Sequence, residues 1–187
     1  MKFSTKRYVD EHYRIFSTIS EAEISSCIGY VESHVKENKK IFTCGNGGSA
    51  STASHYITDW SKMYSLSTGN KFRGMCLADN LGLITAFGND VSYDDVFSGQ
   101  LLAVADPGDL LVIVSGSGNS PNVIKAATTA KELGVDILTV VGFDGGKLKA
   151  YGDYSFHVPS YDMQICEDIH LSFGHLVMKS ICNFDIE

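Results

Sequence analysis

The chain has 187 residues, 44% of them hydrophobic, which is about one domain's length and enough to bury a substantial core. No uninterrupted apolar run is long enough to cross a bilayer. The formal charge of -7, without a Lys or Arg cluster, disfavours nucleic acid but leaves room for a local phosphate pocket.

The opening stretch, MKFSTKRYVDEHYR, sets Asp10, Glu11 and Arg14 where a secretory signal would need apolar residues, so a cytoplasmic location is expected. Residues 1–38 read as two helices forming an amphipathic N-terminal hairpin. Ser20 and Glu23 make a capping-box pattern that leads into Ile24, Cys27, Ile28, Val31 and Val35 at helical spacing. Beyond residue 39 the pattern changes to short apolar runs that end in Gly or Asn and lead into helical segments. The runs are Ile41–Cys44, Gly74–Ala78, Leu110–Val114, Ile137–Val141 and Tyr154–Val158. Strands alternating with helices predict a five-stranded parallel sheet covered on both faces, an α/β three-layer sandwich. One domain over 1–187 is expected, with the helices in 1–38 and the α/β core in 39–187.

The best-marked helix follows Asn119-Ser120-Pro121, a cap with proline in the first turn, and ends at Gly134. A last helix is predicted from about Asp162 to Asn183. The five cysteines at 27, 44, 76, 166 and 182 are odd in number and widely spaced. They read as reduced thiols, not as a disulfide framework or a CxxC zinc site.

Two loops stand where strands give way to helices, the place where open parallel sheets bind ligands. The first, Cys44-Gly45-Asn46-Gly47-Gly48-Ser49, allows close backbone approach and directs a helix N-terminus at an anion. The second, Ser115-Gly116-Ser117-Gly118-Asn119-Ser120, adds three hydroxyls that can donate to phosphate oxygens. A single Gly-rich loop is more often only a turn with a serine cap; two of them favour an anion site. Neither ends in Gly-Lys-Ser/Thr, and neither has GxGxxG spacing, so a small phosphorylated metabolite fits better than a nucleotide.

The ordered motifs CGNGGSASTASHY, FGNDVSYDDVFS, VSGSGNSPNVIKAA, VVGFDGGKL and EDIHLSFGH resemble those of the phosphoheptose isomerase family, across roughly residues 40–180. The resemblance implies the phosphosugar-binding SIS fold and a homotetramer with active sites between subunits. It implies conversion of sedoheptulose 7-phosphate to D-glycero-D-manno-heptose 7-phosphate, for nucleotide-activated heptose in surface polysaccharide, usually with Zn2+. It further implies that Asn46, Gly47, Gly48 and Ser49, with Ser115, Gly116, Ser117 and Ser120, bind substrate and its phosphate, and that Asn89 and Asp90 meet the sugar chain. His55 and His175 coincide with metal-binding histidines, and His175 also with the proposed catalytic one. Three positions depart from the pattern: Asp59 where glutamate is usual, Glu167 where glutamine is usual, and Gly116 where threonine is usual.

Moving a carbonyl from C2 to C1 needs a base beside the carbonyl and an acid or Lewis acid for the enediolate. His55 and Asp59 are four apart in one helix and share a face. Glu167 and His175, eight apart on the final helix, are about two turns removed and offset by about 80°. His55, Asp59, Glu167 and His175 together form a ligand set suited to zinc or another divalent metal. Asp59 is the leading base, with Glu167 as its substitute, and His175 is acid and ligand. On spacing alone such a His/Asp pair is more often a surface hydrogen bond. His170 reads as a hydrogen-bonded core or interface group, Trp60 as a packing or interface residue, and Lys125 as a solvated charge that could attract phosphate. A non-catalytic SIS protein binding a sugar phosphate, or a protein partner such as a replication initiator, is the competing reading, left open by Asp59 and Glu167. A different isomerase or a sugar-phosphate lyase on the same fold is a third.

Overall fold

The computed structural model describes residues 3–186. Residues 1 and 2 of the predicted helical segment, and residue 187 of the predicted domain, lie outside them. The helices are α1 (Thr5–Phe16), α2 (Glu21–Lys36), α3 (Gly48–Thr68), α4 (Leu81–Asp90), α5 (Ser98–Val104), α6 (Pro121–Leu133) and α7 (Met163–Cys182). The strands are β1 (Ile41–Cys44), β2 (Gly74–Cys76), β3 (Leu110–Ser115), β4 (Asp136–Val141) and β5 (Tyr154–His157). All neighbours pair in parallel, in the order β2-β1-β3-β4-β5. This is the predicted five-stranded parallel sheet.

Strand side chains alternate between two layers, as the pleat requires. Leu110, Val112 and Val114 of β3, with Leu138 and Val140 of β4, face a core completed by α2, α3 and α7. Leu111, Ile113, Ile137 and Val141 face the opposite core, built with α5 and α6. Burial on both faces explains why these runs are almost continuously apolar. The edge strand β2 stops at Cys76, short of the predicted Ala78, because its ladder to β1 closes where Leu77 N–H donates to Thr43 O at 2.9 Å.

Local sequence places the helix ends. Ser20 Oγ accepts from Glu23 N at 3.2 Å, as the capping pattern predicts. Asp162 accepts from Gln164 N and Ile165 N to start α7, and Asn183, at φ 56°, ends it. The two N-terminal helices lean on α7. Tyr8 hydroxyl donates to Asp168 Oδ2 at 2.6 Å from α1, and Ser180 hydroxyl donates to Glu32 of α2. All five cysteines are buried and free, and burial pushes the Cys27 thiol up to about 12. No helix among the described residues is long and apolar enough to cross a membrane.

Candidate active site

The strand order reverses direction between β1 and β3, so α3 leaves to one face of the sheet and α6 to the other. Both glycine loops sit at the carboxyl ends of those two strands, the place where open parallel sheets with such a reversal bind ligands. At Gly47 the backbone takes φ 54° and ψ -124°, a region open essentially to glycine, and no side chain caps the α3 N-terminus. The α6 N-terminus is similar: Ser120 stands at the cap position, but its hydroxyl makes no capping bond. Ser115 Oγ accepts from Gly118 N at 3.1 Å and Ser117 Oγ from Asn119 N at 3.3 Å, which uses lone pairs and leaves each O–H to donate.

The second loop is braced from behind by residues 142–148. Asn119 Nδ2 donates to Ser117 O at 2.9 Å while its Oδ1 accepts from Lys147 N at 3.1 Å. Leu148 N donates to Gly118 O. Gly116 touches the start of α7: a Cβ there would lie 2.9 Å from Met163 Cε. Met163 therefore fills the space that a threonine at this position would need.

A second group lies along α3 and α7, which run side by side in the same direction. Tyr56 hydroxyl donates to His170 O, and Trp60 Nε1 donates to Gly174 O at 2.9 Å. Gly174 permits the close approach, since a Cβ there would fall against the Tyr56 ring. Trp60 is fully buried, in the packing role predicted for it. One turn from these contacts, His55 Nε2 lies 3.1 Å from His175 Nε2 and 3.2 Å from Asp59 Oδ2, and His175 Nε2 lies 3.8 Å from the same oxygen. Donor atoms around a tetrahedral ion with bonds of about 2.0–2.1 Å are about 3.3 Å apart, so this set fits a small divalent metal. The three side chains are partly exposed, leaving the group open to a ligand.

Glu167 does not join them. Within one chain its carboxylate lies over Gly48, where a Cβ would sit 2.8 Å from Glu167 Cδ. Eight residues of helix carry His175 about 12 Å further along the axis. Within the single chain, three of the four predicted ligands, His55, Asp59 and His175, come together, and the Glu167 carboxylate stands beside the first glycine loop.

Asn89 and Asp90 are exposed at the end of α4, with Asn89 Nδ2 donating to Asp90 Oδ1 at 2.7 Å. Their segment reaches the first glycine loop through Tyr93, whose hydroxyl donates to Asn46 Oδ1 at 3.2 Å. Asn46 is also paired with Asn122, a buried residue that no sequence pattern singles out, because its partner lies 76 positions away. Ser49 is buried at the start of α3, whereas Gly47 and Gly48 are exposed. Lys125 is committed to Asp95 at 2.7 Å and is not a free phosphate attractor. His170 is buried as predicted, yet neither ring nitrogen has a hydrogen-bond partner among the described residues. Burial, with a smaller contribution from His157 and against some help from the Val141 backbone, pushes its pKa down to about 4.

The SIS domain family model matches residues 7–142. A phosphoheptose isomerase of Rhodospirillum rubrum is 38% identical over 154 residues, covering 82% of this chain and 81% of that one. Another, of Campylobacter concisus, is 34% identical over 185 residues, covering 97% and 96%. The solved structure of a phosphoheptose isomerase from Neisseria gonorrhoeae is 30% identical and superposes with a TM-score of 0.86 over 94% of this chain and 95% of that one.

Proposed function

This chain belongs to the phosphoheptose isomerase family of SIS-domain proteins, and from that premise we propose how its residues carry the family's reaction. The enzyme is an isomerase of a heptose phosphate, taking sedoheptulose 7-phosphate to D-glycero-D-manno-heptose 7-phosphate. One observation carries the assignment of its chemistry: His55, Asp59 and His175 bring two imidazole nitrogens and a carboxylate oxygen within 4.8 Å of one another on the α3–α7 pair, whose first turn is one of the two anion loops.

Ser115, Ser117 and Ser120 donate to the phosphate, with Gly116 keeping the loop backbone close. The backbone of Asn46, Gly47 and Gly48, with Ser49, supplies the α3 N-terminus. Asn89, Asp90 and Glu167 meet the sugar hydroxyls. Glu167 suits this role through its place beside Gly48, and Asn89 and Asp90 through the Tyr93 contact that brings their segment to Asn46.

In the reaction a proton passes from C1 to Asp59, the C1–H electron pair forms the enediolate double bond, and charge moves to O2, which takes a proton from His175. The O1–H proton then passes back to His175 as the C1 carbonyl forms, and the proton held by Asp59 is delivered to C2. Asp59 turns Oδ2 toward both histidines, which leaves Oδ1 to take the C1 proton. His175 turns Nε2 inward, which leaves Nδ1 to deliver a proton to the developing enediol. His55, Asp59 and His175 would hold Zn2+ or another divalent first-row metal, which would polarise the substrate carbonyl.

Residues 1–187 act as one SIS domain, since α1 and α2 pack on a helix of the core. The chain works as a cytoplasmic homotetramer with sites between subunits. Helix α4 supports this, being mostly apolar without burying any residue in the single chain, with Leu81 74% exposed. The product feeds nucleotide-activated heptose for surface polysaccharide.

The test is to incubate purified protein with sedoheptulose 7-phosphate and follow aldose formation by NMR, in the native sequence and in Asp59→Ala and His175→Ala. Turnover by the native protein and its loss in both variants, with oligomeric state retained, is expected. Full retention in both variants overturns the assignment.

A further inference from the structure

Asn46 and Asn122 form a reciprocal amide pair. Asn46 Nδ2 donates to Asn122 Oδ1 at 2.8 Å, and Asn122 Nδ2 donates to Asn46 Oδ1 at 2.8 Å. Val123 N–H donates to Asn122 Oδ1 at 2.9 Å. An N–H facing that atom identifies it as the oxygen, so the Asn122 amide has one permitted orientation, and pairing then fixes the Asn46 amide as well.

Counting lone pairs shows what remains for a ligand. Asn46 Oδ1 already accepts two bonds, from Asn122 Nδ2 and from the Tyr93 hydroxyl at 3.2 Å. Only one N–H of the Asn46 side chain is uncommitted in this arrangement. Asn122 is 1% exposed and cannot itself reach a substrate. The three residues come from three segments: Asn46 from the loop after β1, Asn122 from the first turn after the loop that follows β3, and Tyr93 from the turn after α4.

We propose that Asn122 is a positioning residue for the sugar phosphate: through Asn46 it fixes the spacing of the two anion loops, and Tyr93 ties the 89–95 segment to the same point. The inference rests on the isomerase reading for its substrate and on geometry alone for the coupling between the loops. A reciprocal pair with one member buried and the other half-buried has only one good geometry, which suits it to hold two loops in register. Without Asn122, the Asn46 side chain keeps only the Tyr93 bond, and the first loop loses its side-chain tie to the second. The phosphate is held in the ground state and the transition state alike, so the loss belongs in KM more than in kcat.

The experiment is a double-mutant cycle on the intact oligomer with Asn122→Ala, Asn46→Ala and the double variant. Isomerase kinetics and the affinity for inorganic phosphate, from calorimetry, are the two readouts. We expect Asn122→Ala to raise KM about tenfold with kcat within about threefold. The double variant should be no more than about threefold worse than the poorer single variant, because both remove one interaction. Phosphate affinity should fall in parallel.

KM and phosphate affinity within twofold of the native protein in Asn122→Ala would overturn the proposal. So would a double-variant loss equal to the product of the single losses. If the native protein binds phosphate without turning over the heptose, the isomerase reading fails and the phosphate cycle still decides this one. Should Asn122→Ala not fold, Tyr93→Phe takes its place in the cycle with Asn46→Ala. Tyr93 is 59% exposed, so this change spares the core. It should weaken phosphate binding about threefold in the presence of Asn46 and not at all in its absence.

Discussion

The Glu167 carboxylate lies directly over the Cα of Gly48, with no room for a side chain between α7 and the first turn of α3. The contact sets an acidic group beside the uncapped helix end that the first glycine loop presents. Gly48→Ala should therefore displace Glu167 without harming the helix, because Ala is a better helix former by about 1 kcal/mol. The expected outcome is a fall in kcat/KM of at least about tenfold with Tm unchanged or slightly raised. Native kinetics in this variant would show that Glu167 takes no part in the reaction.

Zinc should bind through three side chains. Equilibrium dialysis of His55→Ala, Asp59→Asn and His175→Ala is expected to show affinity reduced by more than about 100-fold, since even residues behind a ligand are worth 10–100-fold. Chelator treatment should abolish turnover, and added Zn2+ should restore it. Glu167→Ala, by contrast, should keep its zinc, because its carboxylate stands apart from the other three in the single chain. Zinc loss in Glu167→Ala equal to that in His55→Ala would contradict this placement.

Restoring threonine at Gly116 should be unfavourable here. The new Cβ would meet the end of Met163, a flexible side chain that can move but is packed against the loop. A cost of about 1–2 kcal/mol is expected for Gly116→Thr in denaturant unfolding, typical of overpacking. Gly116→Thr combined with Met163→Ala should recover most of it. Equal destabilisation of the single and double variants would mean that Met163 is not what excludes the larger residue.

His170 should make the fold sensitive to acid. The unfolded chain takes up this proton below about pH 6.5, whereas the native protein resists it down to about 4. Between these values the unfolded state binds more protons, so stability falls as pH drops through that window and is fully present above it. The contribution is on the order of 3 kcal/mol at most. His170→Phe should flatten the difference between unfolding midpoints at pH 7 and pH 4.5 relative to the native sequence. Parallel pH profiles for the two proteins would exclude His170 as the source.

Much of the scaffold was legible because it is set by residues close together in the chain. The apolar runs from Ile41, Leu110 and Ile137, the caps at Ser20, Asp162 and Gly134, and the glycine loops after β1 and β3 are each fixed by neighbours within a few positions. The pairing of His55 with Asp59 belongs here as well, since four residues of helix put both on one face.

Contacts between distant segments were decided only by packing. That His175 meets the His55–Asp59 pair depends on α3 and α7 lying side by side in the same direction, which Gly174 and the Tyr56 and Trp60 hydrogen bonds enforce. Within one chain the helical rise carries Glu167 away from His175 along the axis, although the two were read as sharing a broad face. Asn46 read as a substrate residue, yet its amide is engaged by Asn122 and Tyr93, partners that no local pattern names. The sequence by itself determined the elements, the two glycine loops and the family, because these follow from short-range periodicity and ordered motifs. The tertiary structure alone decided which polar atoms meet, because hydrogen-bond and ligand geometry is settled within tenths of an ångström by how helices pack on the sheet.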